Sequence, residues 1–457
     1  MRISGTKARQ DGLYLIFLGA SILFLLVTYL VIAPTRDAFK DFEPSYFAAR
    51  SLIQGRDPYN QSDVLRVYRR EGGEHPNESA TAREIATRYL YPPTTLAFMV
   101  PFAILPFKIA RIVWMLLSTG SFLSAAILAW DLAADYAPIL SGAVVAFLLA
   151  NSLSITALSN PTQVDIALCV IAVWCFLRER FIPAGILCFA LSLAIKPPDP
   201  GMLWLYFLLA GGTYRKRAIH TLLVTAAISL PLVVWVWHAA PNWFGELHSN
   251  LLSFAVPGGI TDPSPAATGP HTMINLQVVL SWLRDDPRFY NSSSYLIVAI
   301  PLILWAFLTL RSRVSYEKSL MAIAAIVPLS MLPLYHQLYC TKLLLLTIPA
   351  LGILWLEGGL VKWIAFAIQV TALLFTGDIP IAIYRYLIRI TIGNSTPAAE
   401  QTSKAMVVFP TPIILLIMAI FYLWVYKRHA SRHELPAAQS SNHATIAAAQ
   451  PQTPVQG

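Results

Sequence analysis

The sequence predicts an all-α integral membrane protein, and two observations support this fold class. The first is composition: 56% of the 457 residues are hydrophobic and only 12% are charged, with a mean hydropathy of +0.59. A soluble domain carries about 25% charged residues. The second is the recurrence of apolar stretches, since roughly 20 apolar residues cross a bilayer. About 11 to 13 such stretches lie between Leu13 and Tyr426, which excludes a soluble enzyme held by a single anchor.

The net charge of +9 does not indicate a nucleic-acid partner, because the Lys and Arg residues form short clusters between apolar stretches. Such clusters mark the cytoplasmic flanks of membrane spans. The sequence therefore predicts a multi-pass protein of the cytoplasmic (inner) membrane with both termini in the cytoplasm. The first apolar stretch is too long for a signal-peptide core and is expected to be retained. The basic clusters are Arg2/Lys7/Arg9, Arg178/Arg180, Arg215/Lys216/Arg217, Arg311/Arg313 and Lys427/Arg428/Arg432.

The spans follow from the apolar runs and their interruptions. One segment, 95–107, is too short for the hydrocarbon core and contains Pro101 and Pro106, so we expect it to dip into the bilayer and return. With this exception, the basic clusters alternate consistently. The predicted spans are 13–33, 109–130, 138–156, 161–177, 181–196, 200–212, 218–238, 294–310, 319–335, 343–358, 363–378 and 405–426.

Three polar segments then share the non-cytoplasmic side, at about 34–94, 239–293 and 379–404. The first two are longer than unstructured connections usually are, which suggests a function. Residues 1–435 are expected to form one transmembrane domain. Residues 436–457 lack apolar periodicity and are expected to form a disordered cytoplasmic tail.

The acidic residues Asp37, Asp41 and Glu43 cluster just after the first span. A carboxylate at the membrane surface can act as a general base, because the interface raises its pKa toward neutrality. The alternative is that these acids cap the following helix or pair with nearby basic residues. That helix is predicted after Pro44 as an amphipathic helix in the interface, stopped by Gly55.

Four stretches resemble glycosyltransferase family 87, which belongs to the GT-C superfamily of multi-span enzymes. The similarity covers roughly residues 37 to 350, and the order and spacing of the stretches carry it. Where family members often have Gly-Gln-Asn, this chain has Asn-Pro-Thr before Gln163. The stretches are Asp41-Phe42 with Tyr46, Ala48-Ala49, Gly55 and Asp57-Pro58-Tyr59; Tyr89-Leu90-Tyr91-Pro92-Pro93; NPTQVDIAL (160–168); and AGILCFALSLAIKPPDPGMLWLYFLL (184–209).

The resemblance implies a GT-C helical core whose external loops carry short helices. It also implies an inverting hexosyltransferase that moves mannose or another hexose or pentose from a polyprenyl phosphate to an envelope lipid or glycan outside the membrane. The catalytic base of such enzymes is an acid of the first external loop, which by motif position is Asp41, with Asp37 in reserve. The leaving polyprenyl phosphate needs cations or hydrogen-bond donors.

Several residues could meet the donor phosphate or substrate. Lys196 ends an uncharged apolar run, where a cation needs a partner; snorkelling or a salt bridge with Asp199 is the alternative. His336 and Lys342 lie in the predicted turn 335–342, where a loop His is often only solvated. The other candidates are Arg88 and Tyr91, where an interfacial aromatic belt explains the tyrosine equally well, and Gln163 and Asp165, where Asp165 could instead satisfy backbone donors.

The sequence predicts no metal site and no other cofactor, because it lacks HxxxH, HExxH and Asp-x-Asp patterns. A secondary transporter or lipid-linked-sugar flippase is the main alternative to an enzyme, and a non-catalytic assembly subunit is a third. The long polar loops and acidic candidates all lie on one face, whereas a transporter needs access from both. This asymmetry favours the enzyme.

Overall fold

The structure is a computed structural model that describes residues 3–32, 40–73, 79–153, 158–259, 261–265, 273–380, 382–383, 386 and 410–432. Within these ranges the chain contains helices and no strand, and a single isolated bridge joins Met273 to Gln337. The predicted all-α class is therefore confirmed. Asp37, the tail 436–457 and most of the loop 379–404 lie outside the described residues.

Most consecutive helices are joined by short connections. In chain order they are α1 (Ile3–Ile32), α2 (Phe42–Ile53), α3 (Gln61–Arg70), α4 (Ala80–Thr87), α5 (Pro93–Ala103), α6 (Phe107–Ala134), α7 (Pro138–Ala150), α8 (Pro161–Arg178), α9 (Ile182–Ile195), α10 (Pro198–Ala210), α11 (Gly212–Ala239), α12 (Trp243–Phe254), α13 (Leu276–Leu283), α14 (Pro287–Arg311), α15 (Tyr316–Ser330), the 3-10 helix η1 (Leu338–Thr347), α16 (Ile348–Glu357), α17 (Gly359–Phe375) and α18 (Pro410–Arg432).

Proline and glycine set many of these helix ends. Pro161 starts α8 directly after Asn160, whose side chain caps the helix; proline suits the first helical turn because its missing N–H would have no partner there. Gly211 and Gly358 follow α10 and α16 with φ of +81°, a conformation that costs glycine little. The helix boundaries thus follow from local residue chemistry.

Six apolar segments are long enough to cross a membrane among the described residues, and five shorter apolar helices accompany them. This agrees with the multi-span protein that the composition predicts. The long segments are Phe107–Ala134, Pro161–Arg178, Gly212–Ala239, Pro287–Arg311, Leu338–Glu357 and Pro410–Ser431; the shorter ones are Gly12–Phe24, Pro93–Ala103, Pro138–Ala150, Ile182–Ile195 and Gly359–Phe375.

The helices bury two apolar cores. The larger core centres on α8, α15 and the segment η1–α16. The apolar stretch of η1–α16 is 94% buried. By contrast, α11 and α14 keep most of their apolar side chains on the outside of the bundle, where a bilayer would cover them. The smaller core joins the first loop, 34–94, to α5 and the start of α6 through aromatic residues including Phe42, Tyr46 and Trp114.

Salt bridges identify the two ends of the bundle. Arg178, at the end of α8, pairs with Asp131 at 2.8 Å and Asp135 at 2.7 Å, both near the end of α6. The opposite end of the bundle is where α8 begins. It lies beside Asp41 and beside Lys196, which connects α9 to α10. We call these the Arg178 end and the Lys196 end. The basic residues Arg215–Arg217 belong to the Arg178 end, because Arg217 pairs with Glu179 at 3.2 Å.

Helix α5 does not reach the Arg178 end. At its start, Thr95 donates to the Ile195 carbonyl at 2.7 Å, beside Lys196. At its end, Arg50 of α2 donates to the Ala103 carbonyl at 2.8 Å, and Tyr46 of α2 donates to the Leu105 carbonyl at 2.8 Å. Both ends therefore lie at the Lys196 end, and the entry of this segment into the bilayer stays a prediction.

Helix α2 forms where the sequence predicts it, but its apolar face packs on protein rather than on lipid. Its residues Phe42, Tyr46 and Phe47 are all 0% exposed and contact Phe107 or Trp114 of α6. Gly55, at φ +69°, follows the helix as predicted. The physical reason is that α5 and the start of α6 pack against α2 and cover its apolar face.

The predicted turn at 335–342 is shorter than expected. From Leu338 the chain forms the ten-residue η1, all of whose residues are buried, although 3-10 helices longer than four residues are uncommon. The predicted turn would have placed Cys340 in a loop. Cys340 instead lies in η1 and is 1% exposed in the core. The segment is held in this form by packing against α15 and α8.

Candidate functional site

Asp41 occupies the N-cap position of α2, yet its side chain does not cap the helix. Its Oδ2 accepts a hydrogen bond from Asn160 Nδ2 at 2.9 Å. Burial raises the pKa of the Asp41 carboxyl above its ordinary value, while the Asn160 hydrogen bond and the Lys40 charge act in the opposite direction. The residue is still partly exposed. The helix-capping alternative thus does not apply, and the carboxylate is available for acid-base chemistry.

Lys196 lies between α9 and α10 and belongs to a buried polar group, which we call the Lys196 cluster: Lys196, Asp199, His336 and Cys340. Lys196 Nζ lies 3.0 Å from Asp199 Oδ2 and 3.1 Å from Cys340 Sγ, and 5.4 Å from the centre of the Tyr339 ring. The salt bridge foreseen as an alternative is therefore present. An ammonium has three donors. Among the described residues, Lys196 Nζ uses two of them on Asp199 and Cys340, which leaves one for a ligand.

His336 is 1% exposed and is not a solvated loop histidine. Its Nε2 lies 3.0 Å from Asp199 Oδ1, and its Nδ1 lies 3.1 Å from the Leu334 carbonyl oxygen. Both ring nitrogens of His336 therefore lie near oxygen atoms, those of a carboxylate and of a backbone carbonyl. Asp199 thus lies between Lys196 and His336, and the Lys196 ammonium is the group of the cluster that favours an anion.

Tyr91 connects Asp41 to the Lys196 cluster. Its hydroxyl donates to Asn160 Oδ1 at 3.2 Å, the same amide that contacts Asp41. Burial raises the pKa of Tyr91 to about 12, with the Lys196 charge lowering it and the Asp41 charge raising it. The same two charges act on Tyr335, whose pKa burial also raises. The charges of Asp41 and Lys196 therefore act on the same two tyrosines, Tyr91 and Tyr335.

Gln163 and Asp165 extend this polar region along the first turns of α8. Gln163 is 3% exposed, and neither its Nε2 nor its Oε1 has a hydrogen-bond partner among the described residues. Asp165 is 0% exposed and accepts from Ser192 Oγ at 2.6 Å through Oδ1, which replaces the backbone donors that the sequence suggested. A buried polar group without a partner costs about 1–3 kcal/mol, so the Gln163 amide stays a candidate for ligand contact.

Arg88 lies apart from these groups, on the first loop. Its guanidinium pairs with Glu84 at 2.9 Å and lines a cavity of about 300 Å³ between α3 and α4. The remaining wall of the cavity is mostly polar, which suits hydroxyl-rich or anionic ligands. The other lining residues are Gln61, Leu65, Ala80, Arg83 and Thr87.

Lys342 is 4% exposed and contacts two helix ends. Its Nζ lies 3.4 Å from the Asn151 carbonyl after α7 and 3.4 Å from the Thr376 carbonyl after α17. A cation at the carboxyl end of a helix is favoured by the helix dipole. The hydrogen bonds and ion pairs of the described residues do not join Lys342 to Asp41 or to the Lys196 cluster.

Two residues of the site were not foreseen as functional. Asn160 contacts Asp41, and Asp199 joins Lys196 to His336. The Asn-Pro pair at 160–161 was a visible signal, because Asn is a preferred N-cap and Pro a preferred first residue. The three-residue spacing of Lys196 and Asp199 indicated their contact. Nothing in the local sequence indicated that His336 would complete the group.

Within the described ranges, the His, Cys, Asp and Glu residues form no group of three or more that could hold a metal ion. No curated protein and no solved structure matches the chain. A family model, that of glycosyltransferase family 87, matches residues 89–334, which is more than half of the chain and includes Tyr91, Gln163, Lys196 and Asp199. The chain therefore belongs to glycosyltransferase family 87.

Proposed function

We propose that this membrane glycosyltransferase moves a sugar from a polyprenyl phosphate to a lipid or glycan acceptor, with inversion, and that Asp41 is its catalytic base. The observation that carries the proposal is that the uncapped Asp41 carboxylate is joined to Tyr91 through Asn160, while the charge of the buried Lys196 acts on the same tyrosine. Inverting transfer from a phosphate donor needs a base on one side of the sugar and a cation on the other.

In this reaction the acceptor hydroxyl gives its proton to Asp41 as its oxygen attacks the anomeric carbon. The bond between that carbon and the phosphate oxygen breaks, and the oxygen keeps the electron pair. Attack opposite the leaving group converts a β-linked donor into an α-linked product. A positioned general base contributes about 10² to 10⁴-fold to the rate, and the raised pKa of Asp41 brings it closer to a working base.

The leaving polyprenyl phosphate gains negative charge, and we propose that Lys196 and His336 stabilise this charge. Their shared partner Asp199 orients both side chains from α10, so they need little reorganisation when the charge develops. Donors that are fixed before the reaction stabilise such charge well in a site that excludes water.

The other predicted residues take supporting roles in this proposal. Tyr91 and Gln163 contact the sugar or phosphate, and Asp165 supports the cluster from α8. Arg88 binds a polar group of the acceptor through the cavity on the first loop. Lys342 stays a predicted phosphate ligand, although its contacts with two helix ends also fit a structural role. Asp37 is the reserve base, and no metal or other cofactor is invoked.

The clustering of basic residues at the Arg178 end supports a cytoplasmic position for that end and an external position for the site. We therefore place the enzyme in the cytoplasmic membrane of a cell-envelope pathway, with both termini in the cytoplasm. A hexose such as mannose, or a pentose, is the expected donor sugar.

Transfer assays in liposomes test the proposal. Purified protein receives radiolabelled polyprenyl-phosphate mannose, and then other polyprenyl-phosphate sugars, with membrane lipid extract as acceptor. We expect transfer by the wild type and a loss of at least about 10²-fold in Asp41→Asn. Asp63→Asn is the matched control, because Asp63 pairs with Arg66 at the surface of the same loop; it should keep wild-type activity. NMR of the product reports the anomeric configuration.

Two results would overturn the proposal. Normal turnover by Asp41→Asn would remove the base assignment. Movement of the donor across the liposome bilayer, without transfer from any donor, would instead support a flippase.

A further inference from the structure

We propose that Asn160 is a positioning residue for the catalytic base: it orients the Asp41 carboxylate and keeps it ionised, so that one carboxylate oxygen faces the acceptor hydroxyl. This inference rests on the proposed role of Asp41 in sugar transfer. It adds a residue of α8 to the catalytic machinery of the first loop.

The orientation of the Asn160 amide follows from its other contacts. Asn160 Oδ1 accepts from Thr162 N at 2.8 Å, as the cap of α8, and from the Tyr91 hydroxyl at 3.2 Å. An amide oxygen only accepts and an amide nitrogen only donates. A flipped amide would turn its NH₂ toward the Thr162 N–H and lose the cap. The NH₂ group must therefore face Asp41 Oδ2, at 2.9 Å.

The backbone around Asn160 holds this amide in place. Ser159 adopts a left-handed φ of +56°, which is uncommon for a non-glycine residue, and its carbonyl accepts from Trp114 Nε1 at 2.8 Å. The preceding carbonyl, of Leu158, accepts from the backbone N–H of Asp41 at 3.2 Å. The starts of α8 and α2 are thus joined twice, once through the backbone and once through the Asn160 side chain.

The arrangement divides the two oxygens of Asp41 between different tasks. Oδ2 is used by Asn160, while Oδ1 has no hydrogen-bond partner among the described residues. A hydrogen bond donated to a carboxylate favours its charged form. Asn160 therefore opposes the effect of burial on Asp41 and leaves Oδ1 to accept the proton of the acceptor.

Two substitutions separate this role from helix capping, because Asp and Ser both cap helices as Asn does. Asn160→Asp replaces the donor with a carboxylate beside Asp41, and Asn160→Ser removes the donor. In both variants the acid limb of the kcat/KM profile should move to higher pH, by about one unit or more for Asn160→Asp. Activity below that limb should fall about tenfold, and the KM for the donor should stay unchanged.

Asn60→Ser is the matched control, since the Asn60 side chain caps α3 as the Asn160 side chain caps α8; its pH profile should equal that of the wild type. Wild-type profiles in both Asn160 variants, with Asp41→Asn inactive, would overturn the inference and leave the proposed function standing. Activity in Asp41→Asn would overturn the proposed function itself. If Asn160→Asp fails to fold, the profile of Asn160→Ser decides alone.

Discussion

At the scale of single residues, the site depends on how each charge is partnered. Asp41 has a neutral partner, Asn160, which leaves its negative charge in place. Lys196 and His336 instead share the single carboxylate of Asp199. Asp41 thus offers a base, and Lys196 offers a positive charge. This difference in partners lets one group accept a proton while the other accepts a leaving anion.

The acid limb of the wild-type pH profile should report Asp41. A base must be deprotonated to act, so activity rises as pH increases through its pKa. Because burial raises that pKa above the ordinary value of 3.8, we expect the limb at a higher pH than that of an exposed aspartate. The measurement is kcat/KM against pH in liposomes. A limb at or below the ordinary value would contradict the buried position of the carboxylate.

Substituting Lys196 by Ala should weaken donor use selectively. The change removes the cation that we assign to the donor phosphate, and loss of one such interaction costs about 10² to 10³-fold in rate. We expect a large fall in kcat/KM for the donor and an unchanged KM for the acceptor. Lys362→Ala is the control, because Lys362 lies over the rings of Trp355 and Trp363 outside the site. Equal losses for donor and acceptor would indicate a structural lysine.

At the scale of helices, the position of Asp41 depends on how α2 is attached to α5. Arg50 joins the two helices by donating to the Ala103 carbonyl at 2.8 Å and the Ile104 carbonyl at 3.3 Å. It also pairs with Glu71 at 3.1 Å. The carbonyls at the end of a helix lack partners within the helix, so Arg50 acts as the cap that α5 does not provide for itself.

Arg50→Ala should therefore loosen the first loop. The carbonyls after α5 and the Glu71 carboxylate would lose their partner, at a cost of about 1–3 kcal/mol. We expect faster hydrogen exchange in α2 and α5 and a lower thermal transition than in the wild type. Arg66→Ala removes a surface ion pair on α3 and should change neither. Unchanged exchange in Arg50→Ala would show that apolar packing alone holds α2.

At the scale of the whole molecule, α12 and the first loop are far apart in the sequence and meet through hydrogen bonds. Asn250 of α12 donates to the Tyr59 carbonyl at 3.0 Å and to the Tyr89 carbonyl at 3.3 Å. Glu246 of the same helix lies near Asp57. Burial is the larger cause and Asp57 the smaller cause that together raise the pKa of Glu246 to about 7. The nearby Asn60 lowers that pKa and Asp63 raises it.

The contact of α12 with the first loop should weaken as pH rises. A carboxyl whose pKa is raised on folding stabilises the contact while it is protonated, so the contact is strongest below the ordinary value of 4.5 and weakens through about pH 7. We expect α12 amides to exchange faster at about pH 8 than at about pH 5, after correction for intrinsic rates. Glu246→Gln should remove the difference. Glu357→Gln, at the pair with His429, should retain it; the same pH dependence in Glu246→Gln would refute the assignment.

The sequence by itself determined the membrane class, the approximate positions of most apolar helices, the stop of α2 at Gly55 and the candidacy of Asp41 and Lys196. These depend on hydropathy, on proline and glycine, and on neighbours within a few residues. The tertiary structure alone decided that Asp41 meets Asn160, 119 positions away, that His336 shares Asp199 with Lys196, and that Lys342 contacts two helix ends. Such partners are set by how helices pack, and packing depends on side chains from many segments at once. A local pattern therefore identifies a charge that needs a partner, but only the folded bundle determines which partner it finds.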